Sequence, residues 1–169
     1  MPISMYQASV PVFVHGLSVL SHILCQGEAH ARNTGADPAS IVQARLAPDM
    51  LTLAGQVQRA SDTSKLALER LTGIASPKLE DSERTFAELY TRIDRTIAYL
   101  GGFSENQLEG VETRTIQLNF GDFKPTFTGT SYLLTFALPN FFFHVTTAHD
   151  ILRHKGVKIG KRDYLRLQG

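Results

Sequence analysis

Asn140 and His144 are the pair in this 169-residue sequence best placed to do chemistry. Four residues apart, they share one face of a helix. An imidazole there can serve as a metal ligand or general base, and the amide can orient a small molecule. Both lie in the most apolar part of the chain, the run Leu138-Pro139-Asn140-Phe141-Phe142-Phe143-His144-Val145 inside 131–154. Three consecutive phenylalanines cover too wide an arc for a surface helix, so most of this segment is expected to be buried. Pro139 lacks the amide hydrogen that would bond to the Thr135 carbonyl, which predicts a kink one turn before His144. His149 lies about 140° further round the helix and cannot complete the same pair.

Each of these residues also has a plainer reading. His144 is expected as a core histidine hydrogen-bonded to Gln58, Asp62 or Tyr6, and Asn140 as the partner of a carbonyl that Pro139 frees. Asp62 sits four residues after Gln58 and three before Lys65, so it either pairs with Lys65 in solvent or turns inward to hold the imidazole. His15 and His22 are seven apart, roughly 10 Å along a helix axis, too far for one ion. Cys25 reads as a small buried hydrophobe, since a mid-helix position offers nothing to stabilise a thiolate. His149 and Asp150 suit packing or a dimer interface, and His154 complements the helix dipole. The basic tail (Lys155, Lys158, Lys161, Arg162, Arg166) reads as solvated or docked on a second subunit. No glycine-rich phosphate loop, nucleophile elbow or H-E-x-x-H motif occurs.

The elements that must position these groups are helical. Hydrophobic residues make up 43% of the chain and charged residues 20%, with a net charge of +1. That is ordinary for one globular domain over 1–169 and gives no electrostatic case for nucleic acid or an anionic membrane. The single cysteine and the lack of a signal-peptide pattern favour the cytosol. The longest apolar run, near 132–145, is too short to span a bilayer. Apolar spacing predicts helix 1 from a Ser9 cap to about Arg32, then a short helix started by Asp37-Pro38 and reaching about Arg45. Helix 2 is expected from near Asp49 to about Thr72. Helix 3 follows a cap at Asp81 or Ser82 and stops at a left-handed Gly101-Gly102. Alternation over 113–128 around Gly121-Asp122 predicts a β-hairpin. Its rings Phe120, Phe123 and Phe127 must cover the end of the bundle or a second subunit. Helix 4 runs from Gly129-Thr130 to Gly156. The result is an all-α four-helix bundle with a small β-hairpin before the last long helix.

Several blocks carry a family likeness: Met5-Tyr6-Gln7-Ala8-Ser9-Val10-Pro11, Arg45-Leu46-Ala47-Pro48-Asp49-Met50, Gln56-Val57-Gln58, Leu138 to His144, and His154-Lys155-Gly156-Val157 with Gly160-Lys161 and Asp163-Tyr164-Leu165. Together they resemble a bacterial and fungal domain-of-unknown-function family in the DinB/YfiT-like superfamily of candidate metalloenzymes. The resemblance implies a DinB-like four-helix bundle, often a homodimer. In the wider superfamily a helix 2 histidine and an H-x-x-x-H pair on helix 4 bind nickel or zinc, and some members are thiol-dependent transferases or isomerases.

This chain departs from that pattern at the site itself. Asn140-x-x-x-His144 stands where the histidine pair would stand, and helix 2 offers Gln56, Gln58 and Asp62 but no histidine. A lone imidazole with two amides is a poor site for zinc or nickel. The expectation is therefore a bundle without a competent metal, binding a small molecule or serving as a structural homodimer. The alternative is a divergent transferase in which His144, Asp62 and Gln58 position a divalent nickel or zinc ion.

Overall fold

Helix starts in this protein are set by side chains that catch free backbone donors. The computed structural model describes residues 3–167. Helix α1 spans Met5–Thr34. Ser4 Oγ accepts from the Gln7 amide at 3.1 Å while Gln7 Oε1 accepts from the Ser4 amide at 3.1 Å, a reciprocal capping box. The helix thus begins well before Ser9, whose hydroxyl instead donates back to the Met5 carbonyl at 2.6 Å. Pro11 lies inside the helix on its solvent side, where water can take the carbonyl left free one turn earlier.

Asp37 caps α2 (Pro38–Val42) by accepting from the Ala39 amide, and this helix is shorter than its pattern suggested. Helix α3 (Leu53–Thr72) starts at Thr52 rather than near Asp49, because the Thr52 hydroxyl accepts from the Gly55 amide. Gly73 ends it in the left-handed conformation at φ 82°. Helix α4 (Phe86–Gly101) is capped by Thr85 and Glu88 in a second capping box, not by Asp81 or Ser82. Gly102 after it is right-handed at φ −78°, so the expected left-handed stop is not formed.

Strands β1 (Thr115–Gln117) and β2 (Thr126–Thr128) pair antiparallel in the register Thr115–Thr128, Ile116–Phe127, Gln117–Thr126. The ribbon continues through a Phe120–Phe123 bridge to a tip at Gly121, where φ is 73° and only glycine is comfortable. The last long helix comes in three parts. A first turn, α5 (Gly129–Tyr132), leads through a π-helical turn over Leu133–Ala137 into α6 (Leu138–His154). Within the π turn the Leu138 amide reaches five residues back to the Leu133 carbonyl. Pro139 lies just beyond, so the missing donor is accommodated by widening the helix rather than by breaking it.

The four long helices form a ring. α1 packs on α4 and α6, and α3 packs on the same two, with the α3–α6 seam the most extensive. Ala60, Ser61, Ser64 and Ala67 are fully buried, and Ser61 Oγ lies 2.7 Å from Thr96 Oγ1, so small residues bring α3 close to α4. At Gly16, α1 approaches α6 so closely that an added Cβ would lie 2.7 Å from Phe141 Cζ. Helix α1 is long and apolar enough to cross a bilayer by length and composition. Here its apolar face, with Phe13, Leu17, Leu20, Ile23 and Leu24 fully buried, forms the centre of the core.

The tail folds into a short helix, α7 (Lys161–Leu165), packed on α1; residues 168 and 169 of the basic tail lie outside the described residues. Cys25 is exposed, against expectation, because α1 turns that position away from its neighbours. Tyr132 stacks on Phe136 of the π turn and Phe127 packs against both rings, whereas Phe120 and Phe123 remain 54% and 66% exposed. The hairpin covers one of its three rings, Phe127, only in part and leaves the other two exposed.

Candidate functional site: a polar ladder between two helices

Three hydrogen bonds join α3 to the last helix like rungs. His144 Nδ1 lies 2.8 Å from Gln56 Oε1, Asn140 Nδ2 donates to Thr63 Oγ1 at 2.8 Å, and Arg70 Nη1 donates to Tyr132 Oη at 2.9 Å. On α3 the rungs recur every seven residues, which returns to nearly the same face after two turns. Gln56, Thr63 and Arg70 therefore form one polar stripe on an otherwise apolar seam.

The lowest rung fixes the chemistry of His144. Gln56 Nε2 donates to the Leu51 carbonyl at 3.3 Å, which turns Oε1 toward the imidazole. An amide oxygen can only accept, so Nδ1 carries the proton and Nε2 keeps the lone pair. Burial, with the nearby Arg59 guanidinium adding to it, pushes the His144 pKa down to about 4. The imidazole is neutral at physiological pH and a weak base. Its partner is Gln56; the Gln58, Asp62 and Tyr6 partners expected from sequence are not used.

Gln58 and Asp62 belong to a different cluster, built around Arg92. Only 1% of the Arg92 side chain is exposed. Its Nη1 donates to Glu83 Oε1 at 2.9 Å and to the Glu80 carbonyl at 2.9 Å, and its Nη2 lies 2.9 Å from Asp62 Oδ1 and 3.1 Å from Asp81 Oδ1. Asp62 also pairs with Arg59 at 3.0 Å and Lys65 at 3.2 Å, while Arg59 makes a close ion pair with Asp81. Gln58 Nε2 donates to Glu83 Oε2 at 2.8 Å. Asp62 thus keeps its expected Lys65 neighbour, within a partly buried network rather than in solvent, and does not hold His144. Arg92 was legible as a stripe position, since Leu89, Arg92, Ile93 and Thr96 follow helical spacing on the buried face of α4. Its charge masks it in a reading for apolar residues.

These donors do not fit a divalent metal. Gln58 and Asp62 are committed to cations or to Glu83, Asn140 presents its nitrogen to Thr63, and Gln56 Oε1 faces the protonated Nδ1. Nε2 of His144 is a single nitrogen ligand beside the Arg59 cation, whose charge opposes a dication. Among the described residues no group of three histidine, cysteine or acidic side chains comes together as a ligand set. At the far end of α6, buried His149 contacts Asp150 at 2.9 Å and the Tyr164 ring edge-on, consistent with packing. His22 lies 3.7 Å from Asp163 on α7.

A cavity of about 240 Å³ opens beside the ladder, between the Asn140 and Tyr132 rungs. Arg59, Asp62, Thr63, Leu66 and Arg70 of α3 form one wall, and Phe136 and Asn140 form the other. Leu118, Asn119 and Phe120 of the hairpin roof it. His144 does not line it. A larger depression of about 450 Å³ lies over the loop before α4, where Lys78, Glu80, Glu83 and Arg95 alternate in charge. Only Leu79 gives it an apolar wall, so it is the poorer ligand site.

Known proteins place the chain clearly. No curated protein matches it by sequence. A crystal structure described as a DinB family member protein from Shewanella denitrificans superposes with a TM-score of 0.91 at 40% identity, covering 97% of this chain and 93% of that one. The profile of the family described as Domain of unknown function (DUF1993) matches residues 5–165. Sharing its fold and two-fifths of its sequence with a DinB family member, the chain belongs to the domain-of-unknown-function family DUF1993.

Proposed function

We propose that this DinB-like bundle binds a small molecule in the cavity beside Asn140, with its metal site degenerate, and that it works as a homodimer. The observation that carries the reading is the ladder itself. The positions that would supply metal ligands are joined in side-chain pairs, while the space left between two rungs sets Leu66, Leu118, Phe120 and Phe136 beside convergent polar and charged groups. The exposed Phe120, Phe123, Leu134 and Phe143 supply apolar surface for a second copy. Amide spectra of ¹⁵N-labelled protein recorded against a fragment library test the binding. Hits are expected to shift Asn119, Phe136 and Asn140. A library with no hit at those amides would remove the support for a ligand site.

A divergent metal-dependent transferase is the second reading, and one feature favours it. Donation of Nδ1–H to a side-chain oxygen, as His144 donates to Gln56, is how metal-binding histidines are commonly oriented, with Nε2 left as the ligand. In that reading His144 alone anchors nickel or zinc. The Asp62 and Gln58 contribution then requires Arg92, Lys65 and Glu83 to release them. Thiol-transfer assays become informative only if a divalent ion is recovered with the protein and lost in His144→Ala.

A further inference from the structure

We infer that the cavity beside Asn140 takes a small monocarboxylate with a flat apolar body, anchored by Arg70; the inference rests on the ligand-binding reading and names its ligand class. Asp62 faces Arg59, Lys65 and Arg92, Asp81 pairs with Arg59 and Arg92, and Glu83 pairs with Arg92. Arg70 has no carboxylate within ion-pairing distance among the described residues, and the carboxylate of neighbouring Glu69 is taken by the amide and hydroxyl of Ser76. Among the residues that line the cavity, two guanidiniums, Arg59 and Arg70, face one carboxylate, Asp62, and Arg70 is the one whose hydrogen-bond partner is neutral.

That guanidinium is held in place but not saturated. It donates Nη1 to Tyr132 Oη at 2.9 Å and lies 5.8 Å from the centre of the Tyr132 ring. The other Arg70 N–H groups have no partner among the described residues. A planar fork with free donors matches a carboxylate. Among the described residues the Asn140 amide oxygen is also without a donor, while its nitrogen is turned to Thr63. It suits a hydroxyl or N–H on the same ligand. Leu66, Leu118, Phe120 and Phe136 supply the apolar walls. The volume lies below the range of drug-sized sites, which limits the guest to about a single ring or a branched chain. One excess positive charge suits a monoanion better than a phosphate dianion.

Isothermal titration of the full chain with benzoate, benzamide and phenyl phosphate, with amide shifts to locate each, tests the inference. Benzoate is expected to bind at least about tenfold tighter than benzamide, as a charge-assisted hydrogen bond would give. Arg70→Met should abolish that preference, and Arg70→Lys should keep part of it. Equal binding of benzoate and benzamide at the Asn140 amide would overturn the anion assignment while leaving the pocket standing. Tighter binding of phenyl phosphate would overturn the carboxylate class. No shift at the cavity with any of the three would sink both the assignment and the site. The wild-type comparison decides the matter even if Arg70→Met fails to fold.

Discussion

His144 shows how one neighbour decides what an imidazole can do. Burial, with an Arg59 charge nearby, holds its pKa at about 4, below the ordinary value near 6.5. Between those two values the unfolded chain binds a proton that the folded chain does not. Its contribution to stability is therefore complete above about pH 6.5 and is lost as pH falls toward 4, by at most about 3 kcal/mol. Urea midpoints measured from pH 7.5 to 4 should fall on the acid side, and His144→Gln should flatten that part of the profile. Gln56→Glu should raise the His144 pKa by placing a carboxylate at Nδ1, which an NMR titration of the ring would show. An unchanged pKa would mean that the two side chains do not meet. At Arg92 the prediction is harsher. Arg92→Ala leaves Glu83 without its cation, and Asp62 with Arg59 and Lys65 alone, and should cost about 3–5 kcal/mol in chemical denaturation.

At the scale of elements, close approach is concentrated where α1 meets α6. Gly16→Ala pushes a methyl into Phe141 and should destabilise by about 1–3 kcal/mol, whereas Gly101→Ala, a helical position with open space around it, should stabilise by about 0.5–1 kcal/mol. Thermal melts of the two variants moving in the same direction would contradict this packing. The elements themselves were legible: apolar spacing revealed four long helices, and alternation around Gly121-Asp122 revealed the hairpin. Starts were less so, because Ser4, Thr52 and Thr85 are capping residues no more conspicuous in sequence than Ser9, Asp49 or Asp81. The Pro139 irregularity was predictable, but its π form depends on the Leu133 carbonyl finding the Leu138 amide. Gln58 was the glutamine expected to meet His144, and the structure uses Gln56 instead. Two positions apart on a helix they face nearly opposite ways, and only the packing of α6 chose Gln56. Gln56, Thr63 and Arg70 repeat every seven residues, yet polar residues at that spacing gain meaning only once their partners are known.

On the scale of the whole molecule, the bundle leaves apolar surface on the hairpin and on the outer face of the last helix. Light scattering after gel filtration should give twice the chain mass, and Phe123→Ser with Phe143→Ser should shift it toward the monomer if those rings form the interface. A monomer mass for the wild type across micromolar concentrations would contradict the dimer. The central claim is that the ladder replaces a metal centre. It is tested most directly by the metal content of untagged protein, wild type and His144→Ala, after incubation with nickel and zinc and desalting. Neither protein should retain either ion near one per chain. Near-stoichiometric nickel or zinc in the wild type, lost in His144→Ala, would contradict the account and restore the metalloenzyme reading.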